Sequence, residues 1–301
     1  MKKHSHNDME ELARLITAAD AVVAGAGSGL SSAAGFNHYH WIPALEAYLG
    51  EFKDYYRFAS PFAGFYYCYS SPEQQWAYYT KYIYSMWHLP TGQPYLDLRD
   101  ILDGKDYFVL TTNVDMQCER VFPGERLCSY QGNMGYLQCA QPCHDRLYEN
   151  REIIESMNQA LRGTVLPPEM VPRCPECGRI MVPWVRDDTF LEGRDWRSGT
   201  ERYEKFLTRY LLEQPEKKVL LLELGVGEMT PGVIKLPFWD MTARNSQVFY
   251  ACLNLEASSA PEHLKGRSIY LQGDLADILK ELRVQLGKEK RNHERKVYKY
   301  L

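Results

Sequence analysis

The chain has 301 residues, of which 45% are apolar and 25% charged, and its formal net charge at pH 7 is −4. This length suits one large domain or a core domain that carries a smaller inserted one. The mild negative charge gives no reason to expect a nucleic acid or an anionic membrane surface as a partner. The longest apolar runs are far shorter than a membrane-spanning helix requires.

The N-terminal segment, MKKHSHNDMEELARLI, is polar and then amphipathic, without the continuous apolar stretch of a secretory signal. We therefore expect a cytoplasmic protein whose cysteines stay reduced. In that compartment the eight cysteines are better explained as metal ligands and isolated thiols than as a disulfide framework.

The first third of the chain predicts a helix, a buried strand and an aromatic helical region. Apolar residues at helical spacing predict a helix that ends near Ala19, and the short apolar run at 21–24 predicts a buried strand. The segment 35–96 is rich in Tyr and Trp at helical spacing, which indicates a helical subdomain with an aromatic core. An aromatic cofactor-binding role is the alternative for this segment.

Further short apolar strands recur along the chain, each ending in Gly, Asn, Thr or Asp. They fall at 107–110, 219–224, 248–253 and 268–274 (SIYLQGD), and an amphipathic helix begins at 275. Strands that alternate with helices in this way predict an α/β fold, a Rossmann-like parallel sheet whose site lies at the carboxyl ends of the strands.

Two glycine-rich loops follow predicted strands. The first is GAGSGL at 25–30, and the second is GVGEMTPG at 225–232. Small residues after a strand let the backbone approach a diphosphate closely. The spacing is not G-x-G-x-x-G, so an ordinary turn is the equal alternative for either loop alone. The occurrence of two such loops in one parallel sheet favours a nucleotide.

Four cysteines form two close pairs, Cys139 with Cys143 and Cys174 with Cys177. Two pairs of this kind are typical of a four-thiolate zinc site, and such a site is structural because no coordination position is left open. Reduced thiols without a metal are the alternative, and His144 is a further possible ligand in place of one cysteine.

The order of these motifs resembles the sirtuin family of NAD-dependent enzymes over residues 20–282. The motifs are the GAG loop, TTNVD at 111–115, QG at 131–132, CPECG at 174–178, NLE at 254–256 and GDLADIL at 273–279. The resemblance implies a Rossmann-like NAD-binding domain in three parts, 1–34, 101–134 and 201–301. It also implies a helical and cofactor-loop module at 35–100 and a zinc-ribbon small domain at 135–200.

Several departures from the sirtuin pattern point to one branch of the family. The catalytic histidine is replaced by Gln131, the Gly-Ile-Pro-Asp-Phe-Arg run becomes GFNHYH at 35–40, and a later Gly-Thr-Ser becomes Gly-Val-Gly at 225–227. These departures resemble the macrodomain-linked sirtuins of microbes, which are associated with protein ADP-ribosylation rather than deacylation. The phrase GVGEMTPGVIKLPFW is similar to the same group. The resemblance implies an acceptor such as a lipoylated glycine-cleavage-H-like carrier protein, and a macrodomain hydrolase as a functional partner.

The resemblance implies that Asn113, Asp115 and Gln131 are catalytic. It also implies a larger set of NAD-binding residues, which comprises those three and Gly25, Ala26, Gly27, Ser31, Gly35, Tyr39, Gly225, Val226, Gly227, Asn254, Leu255, Glu256, Asp274 and Leu275. Asn254 and Asp274 have an alternative explanation as residues that cap a turn and a helix.

Gln131 decides which chemistry is expected at this site. An amide side chain can hold a ribose by hydrogen bonds, but it has no usable pKa and cannot act as the general base that deacylation needs. We therefore expect an NAD-dependent protein ADP-ribosyltransferase that releases nicotinamide. The alternatives are a deacylase, with His38 or His40 as a replacement base, an NAD glycohydrolase and a non-catalytic NAD-binding sensor.

Overall fold

The computed structural model describes residues 5–227, 231–256 and 261–297, and from residue 288 onward only the backbone. The strands are β1 (Ala21–Ala26), β2 (Asp106–Thr111), β3 (Leu127–Ser129), β4 (Gly132–Cys139), β5 (Tyr148–Glu149), β6 (Met181–Val185), β7 (Val219–Leu224), β8 (Val248–Asn254) and β9 (Ser268–Gln272). The α-helices are α1 (His6–Ala18), α2 (Ser28–Ala33), α3 (Pro43–Tyr56), α4 (Pro61–Phe65), α5 (Pro72–His88), α6 (Gln93–Leu102), α7 (Gln117–Val121), α8 (Arg151–Ala160), α9 (Arg194–Thr208), α10 (Lys235–Arg244) and α11 (Leu275–Val297).

Six strands form one parallel sheet in the order β3-β2-β1-β7-β8-β9. The order reverses beside β1, where Ala21 pairs with Asp106 of β2 on one side and with Val219 of β7 on the other. Such a reversal opens a crevice beyond the carboxyl ends of the strands, where nucleotides bind in folds of this kind. The predicted Rossmann-like α/β fold class is confirmed.

The strands of this sheet are apolar because helices cover both of its faces. All six residues of β1 and all six of β7 are buried, which is typical of strands without a solvent face. Val22 and Ala24 pack in the core that contains α1, α6 and α11. Ala21 and Val23 belong to the core on the opposite face, with residues of α10. Alternate side chains of one strand therefore serve two separate cores.

The segment between β1 and β2 forms a helical module that packs against a second, smaller sheet. That sheet is antiparallel, in the order β5-β4-β6. Aromatic residues of α5, including Trp76, Tyr78 and Tyr82, are buried in a core that they share with β4 and α8. Strand β4 runs across the predicted boundary between 134 and 135. The domain limits drawn from the sequence stay a prediction.

In the part of the chain that the structure describes, no helix has both the length and the apolar character that crossing a lipid bilayer needs.

The two glycine loops touch each other directly at the carboxyl ends of β1 and β7. The amide of Gly29 donates a hydrogen bond to the carbonyl oxygen of Gly225, at 2.9 Å. A Cβ atom on Gly27 would lie 2.7 Å from that same oxygen, and one on Gly225 would lie 2.6 Å from Cα of Gly29. Gly225 also has a φ of +62°, a left-handed conformation that glycine adopts without steric cost. These glycines are required for contact between two loops, in addition to any contact with a ligand.

We expect Gly225→Ala to lower the free energy of unfolding by about 2–4 kcal/mol, because the new methyl group meets backbone that cannot move aside and the backbone is left-handed. Gly227→Ala is the matched control, since a Cβ atom there would lie within 4 Å of no atom of the described residues, and it should change stability by less than about 0.5 kcal/mol. Urea unfolding of both variants measures the difference. Equal stabilities would contradict the role given to this contact.

Candidate active site

Two adjoining cavities lie at the carboxyl end of the large sheet. The first has a volume of about 540 Å³ and opens between the first glycine loop, the helical module and the loops after β2 and β3. The second, of about 730 Å³, lies over the second glycine loop and the ends of β8 and β9. Ser28, Ser32, Asn37 and Gly227 contribute to both, so one extended ligand can occupy the two cavities together.

Most of the predicted site residues line these cavities, in two groups. The first cavity is lined by Gly27, Ser31, Tyr39, Asn113, Asp115, Gln131 and Gly227. The second is lined by Gly225, Val226, Gly227, Asn254, Leu255, Glu256, Asp274 and Leu275. Of the predicted loop, residues 228–230 lie outside the described part of the chain.

Three of the predicted site residues line neither of the two cavities whose walls the described residues form. Gly25 is small for a packing reason, because a Cβ atom there would lie 2.4 Å from Cγ2 of Ile234. Ala26 accepts a hydrogen bond from the amide of Thr112 and so joins two strand ends. Gly35 follows α2 with a φ of +86°. The packing of Gly25 and the left-handed backbone of Gly35 account for these two glycines without a ligand.

Asn113 is fixed to the first glycine loop. Its side-chain Nδ2 donates to the carbonyl oxygen of Gly27 at 2.9 Å and to Oη of Tyr95 at 3.2 Å. Ser31 lies 3.0 Å from the same Tyr95 oxygen. Among the described residues, no hydrogen bond reaches Oδ1 of Asn113, so this acceptor is available to a ligand. Tyr95 was counted among the core aromatics from the sequence, and the structure makes it a support of the site.

Asp115 lies on a strained turn after β2. The following residue, Met116, has a φ of +64° although it is not glycine, and such backbone often accompanies a functional site. Oδ1 of Asp115 accepts a hydrogen bond from the amide of Gln117 at 3.2 Å. Oδ2 is buried, and no group of the described residues forms a hydrogen bond with it. Since an unpaired buried carboxylate oxygen is costly, it requires an explanation.

Gln131 lies in the turn between β3 and β4 and lines the first cavity. Its backbone carbonyl accepts a hydrogen bond from the amide of Arg186, at 3.0 Å. Gly132 follows with a φ of +85°, and a Cβ atom there would lie 2.1 Å from the carbonyl oxygen of Trp184. The glycine of the QG pair therefore permits close approach of β6, which holds Gln131 at the cavity wall.

His38, one of the two histidines weighed as a replacement base, lies inside the first cavity. Its Nδ1 is 2.7 Å from Oη of Tyr82, and its Nε2 is 3.9 Å from Oδ2 of Asp115. His40 lines the same cavity but is exposed. Tyr39 packs against Phe62, with ring centroids 4.9 Å apart, and burial raises its pKa, so it stays a neutral hydroxyl at neutral pH.

The second cavity contains both ligand-accessible and structural polar groups. Nδ2 of Asn254 donates to the carbonyl oxygen of Val226, and Oδ1 of Asp274 accepts from the amide of Ala276 at the start of α11. Asp274 therefore caps the start of α11, as its alternative explanation predicted, and it also lines the cavity. Lys235 in the cavity wall is paired with the fully buried Glu223 at 2.8 Å. No local sequence pattern predicts this ion pair, because its two members lie in different elements.

The four predicted metal ligands converge at the end of β4. The sulfur atoms of Cys139, Cys143, Cys174 and Cys177 all lie within 4.8 Å of one another. The Cys139–Cys177 and Cys143–Cys174 sulfur pairs are 3.6 Å and 3.7 Å apart, close to the spacing of about 3.8 Å that a tetrahedral zinc with bonds of 2.3 Å requires. A hydrogen bond from the Arg179 backbone lowers the pKa of Cys177 to about 7, whereas the nearby sulfur of Cys177 raises the pKa of Cys143 to about 12. Of these two thiols, Cys177 is therefore the one that favours the thiolate. His144 lies beside this group, with Nε2 3.3 Å from Sγ of Cys174.

The zinc site would tie together two stretches of chain in the small domain. Cys139 ends β4, and Cys174 and Cys177 form a knuckle turn before β6, which pairs with β4. A structural zinc ion fits these residues and would fix the β4–β6 pair on which Gln131 depends.

No family model matches the chain. A protein ADP-ribosyltransferase of Staphylococcus aureus (strain Mu50 / ATCC 700699) is 31% identical to it over 277 residues, which cover 90% of this chain and 85% of that protein. A Fusarium oxysporum f. sp. cubense protein described as "Probable bifunctional ADP-ribose hydrolase/ADP-ribosyltransferase" is 31% identical over 242 residues, 76% of this chain and 39% of the longer relative.

Solved structures of Sir2 homologues share the fold. A Sir2 homologue mutant–ADP ribose complex has a TM-score of 0.62 at 16% identity, and covers 94% of this chain and 98% of its own. A Sir2 homolog–NAD complex has a TM-score of 0.62 at 17% identity, with 96% and 97% covered.

We expect Cys174→Ser to abolish stoichiometric zinc binding and to lower the thermal midpoint of unfolding, because a structural four-thiolate site loses affinity when one thiolate is removed. Metal analysis of the purified protein, together with thermal unfolding, measures both effects. Cys68→Ser is the matched control, since this thiol is exposed and outside the cluster. Undiminished zinc in the Cys174 variant would contradict the assignment.

Proposed function

Since the chain belongs to the sirtuin family, we propose that it is an NAD-dependent protein ADP-ribosyltransferase. The observation that carries this proposal is the convergence of Asn113, Asp115 and Gln131 on one cavity that continues over both glycine loops. The relatedness to two proteins with ADP-ribosyltransferase names supports the same activity.

The residues present fit NAD. The two adjoining cavities have the size and the mixed polar lining of a cofactor site. The first offers the acceptor Oδ1 of Asn113 and the unpartnered atoms of His38 and Asp115, while the second has Glu256 beside the end of β8. When bound, NAD supplies the ADP-ribosyl group and the nicotinamide leaving group.

The chain's own residues orient the ligand and contribute no general base at position 131. Gln131 can donate and accept hydrogen bonds at the ribose, but an amide does not titrate in the working range of pH. Loss of general-base catalysis typically lowers the reaction rate by about 10²- to 10⁴-fold. Transfer to an acceptor whose nucleophile is already ionised, such as a carboxylate, avoids this loss.

The contacts of His38 do not favour it as a replacement for the missing base. Burial holds the pKa of Tyr82 well above its usual value, so its hydroxyl keeps its proton and can donate a hydrogen bond to Nδ1 of His38. When the Tyr82 hydroxyl donates this hydrogen bond, neutral His38 has its single proton on Nε2, the ring atom that faces Asp115, and Nε2 is then a donor rather than an acceptor. This arrangement favours transfer over the deacylase alternative.

The acceptor and the functional partner follow from the branch of the family that the motifs resemble. We propose a lipoylated carrier protein as the acceptor and a macrodomain hydrolase as the partner that removes the modification. The sequence phrase at 225–239 supports the first, and the combined hydrolase and transferase name of the Fusarium relative supports the second. A cytoplasmic location, as expected from the sequence, is part of this proposal.

Intact-mass spectrometry after incubation with NAD tests the activity. We expect the lipoylated carrier protein to gain one ADP-ribose and an acetyl-lysine peptide to keep its acetyl group. Asn113→Ala should lower the transfer rate by about 10²- to 10³-fold, and Gln131→Ala by about tenfold or more, because each removes a preorganised polar contact at the reacting group.

Gln159→Ala is the matched control for the glutamine variant, because Gln159 is exposed on α8, away from both cavities. Nicotinamide release without acceptor, at the rate seen with acceptor, would indicate an NAD glycohydrolase instead. A deacetylated peptide beside an unmodified carrier would overturn the argument from Gln131.

A further inference from the structure

A third cavity borders the turn that carries Gln131 and is separate from the two cavities described above. Its volume is about 440 Å³, within the range of small-molecule sites. It opens between β3, α7, the start of α9 and the small antiparallel sheet. Ser129 and Asn133, on either side of Gln131 in the sequence, line it, and none of the described residues in its wall lines the first or the second cavity. The proposed function therefore leaves this cavity without a role.

Two tryptophans give the third cavity flat apolar walls. Trp184 lies on β6 and Trp196 on α9. Trp184 donates its indole N–H to the carbonyl oxygen of Leu191, at 3.1 Å. Trp196 donates its own to the carbonyl oxygen of Tyr130, at 2.9 Å. Because both N–H groups are already used, the two side chains offer a ligand the surfaces of their rings, against which another aromatic ring packs favourably.

Glu119 of α7 brings a carboxyl group to the wall of the cavity. Its Oε1 accepts a hydrogen bond from Oγ of Ser129 at 2.5 Å, whereas its buried Oε2 has no hydrogen-bond partner among the described residues. Burial raises the pKa of this carboxyl group, and the hydrogen bond from Ser129 opposes that shift. A cationic ligand group with several N–H donors would stabilise the carboxylate form and complete its hydrogen bonding.

Arg202 of α9 brings the opposite charge to the same cavity. Its Nη1 donates to Oγ of Ser198 at 2.6 Å, and its Nη2 donates to the carbonyl oxygen of Leu127 over a long 3.5 Å. Neither partner is charged. Nε is buried and forms no hydrogen bond with the described residues. Since a guanidinium group pairs best with a carboxylate, this side of the cavity suits an anionic ligand group.

The two charged residues are anchored to the same short strand, which limits the distance between them. Glu119 bonds with Ser129, and Arg202 bonds with Leu127. These two anchors are neighbours but one on β3, a rise of about 7 Å along the strand. A ligand that reaches both charges must therefore carry its cationic and anionic groups close together. In a free α-amino acid the ammonium and the carboxylate are attached to the same carbon atom.

Gly199 keeps one side of the cavity open. It is buried within the 15-residue helix α9, where glycine is a poor helix former. A Cβ atom there would lie 3.6 Å from Sγ of Cys128, an ordinary contact distance, so packing would permit alanine. The space that glycine leaves at the cavity wall gives this residue a reason that helix stability does not.

We propose that the third cavity binds a free α-amino acid with an aromatic side chain. Its ammonium group binds Glu119, and its carboxylate binds Arg202. Its ring packs against the two tryptophans. The site takes neither NAD nor the acceptor protein, so this inference is independent of the proposed function.

Calorimetry with the full chain, in the absence of NAD, tests the proposal. Phenylalanine, tyrosine and tryptophan are titrated separately, and at least one should bind with a dissociation constant of about 1 mM or lower. For the amino acid that binds most tightly, the corresponding amine lacks the carboxylate and the corresponding acid lacks the ammonium group. Each analogue should bind at least about tenfold more weakly, because it leaves one charged side chain of the cavity unpaired.

Variants of the wall locate the binding site. Glu119→Gln and Arg202→Met should each weaken binding of the amino acid about tenfold or more. Gly199→Leu should abolish it, because the new side chain fills the cavity. Glu201→Gln and Arg197→Met are the matched controls, since both residues are exposed on α9 and neither lines the cavity.

Fluorine NMR of wild type labelled with 5-fluorotryptophan gives a readout that needs no altered wall. The chain has six tryptophans, and their signals are assigned with single Trp→Phe variants. Addition of the amino acid should shift the signals of Trp184 and Trp196 more than those of the other tryptophans.

Each result decides for or against the site. No binding of any of the three amino acids at about 10 mM would overturn the proposal. Binding of the amine or the acid as tightly as the amino acid would do the same, as would unchanged binding in all three wall variants. A fluorine spectrum in which neither Trp184 nor Trp196 responds would place the ligand elsewhere. None of these results bears on the proposed function.

Discussion

The close approach of Gly27 and Gly29 to Gly225 is the contact on which the site depends. It brings the loop after β1 against the loop after β7, with backbone atoms so near that no side chain fits between them. The reversal in strand order makes β1 and β7 neighbours, and the glycines let their loops close over the same crevice. Both cavities take part of their walls from these loops. The glycines therefore make the contact between the two loops, and a ligand binds to the surface that this contact has formed.

The polar side chains of the site are held in place by hydrogen bonds to neighbouring groups of the protein. Asn113 is held by the carbonyl of Gly27 and by Tyr95, and Asp115 by the amide of Gln117. His38 is held by Tyr82, which belongs to the aromatic helix α5. Preorganisation of this kind lets a site orient a ligand without reorganising at each turnover. The aromatic helical module therefore has two roles, as a packed core and as the support of the side chains that face the ligand.

Sequence reasoning identified five of the six strands of the large sheet, because short apolar runs with glycine or polar ends are typical of parallel strands. It missed β3, which is only three residues long. It also found the four cysteines, whose spacing is a local signal. It did not find β4 and β6, because the small antiparallel sheet has a bulge between Asn133 and Leu137 and weak alternation. The close packing of Gly25 against Ile234 could not be predicted from spacing, since Ile234 lies far along the chain. The orientation of His38 depends on Tyr82 and Asp115 in two other elements, and no local pattern carries that information.

The position of β1 in the sheet has a consequence for biosynthesis. One neighbour of β1 is β2, and the other is β7, which lies in the last third of the chain. A nascent chain therefore exposes one edge of a wholly apolar strand until most of the protein has left the ribosome. Pairing over such a sequence distance is slow to form. The cell must protect this edge during translation, so an N-terminal fragment that ends before β7 should be a client of chaperones rather than a folded domain.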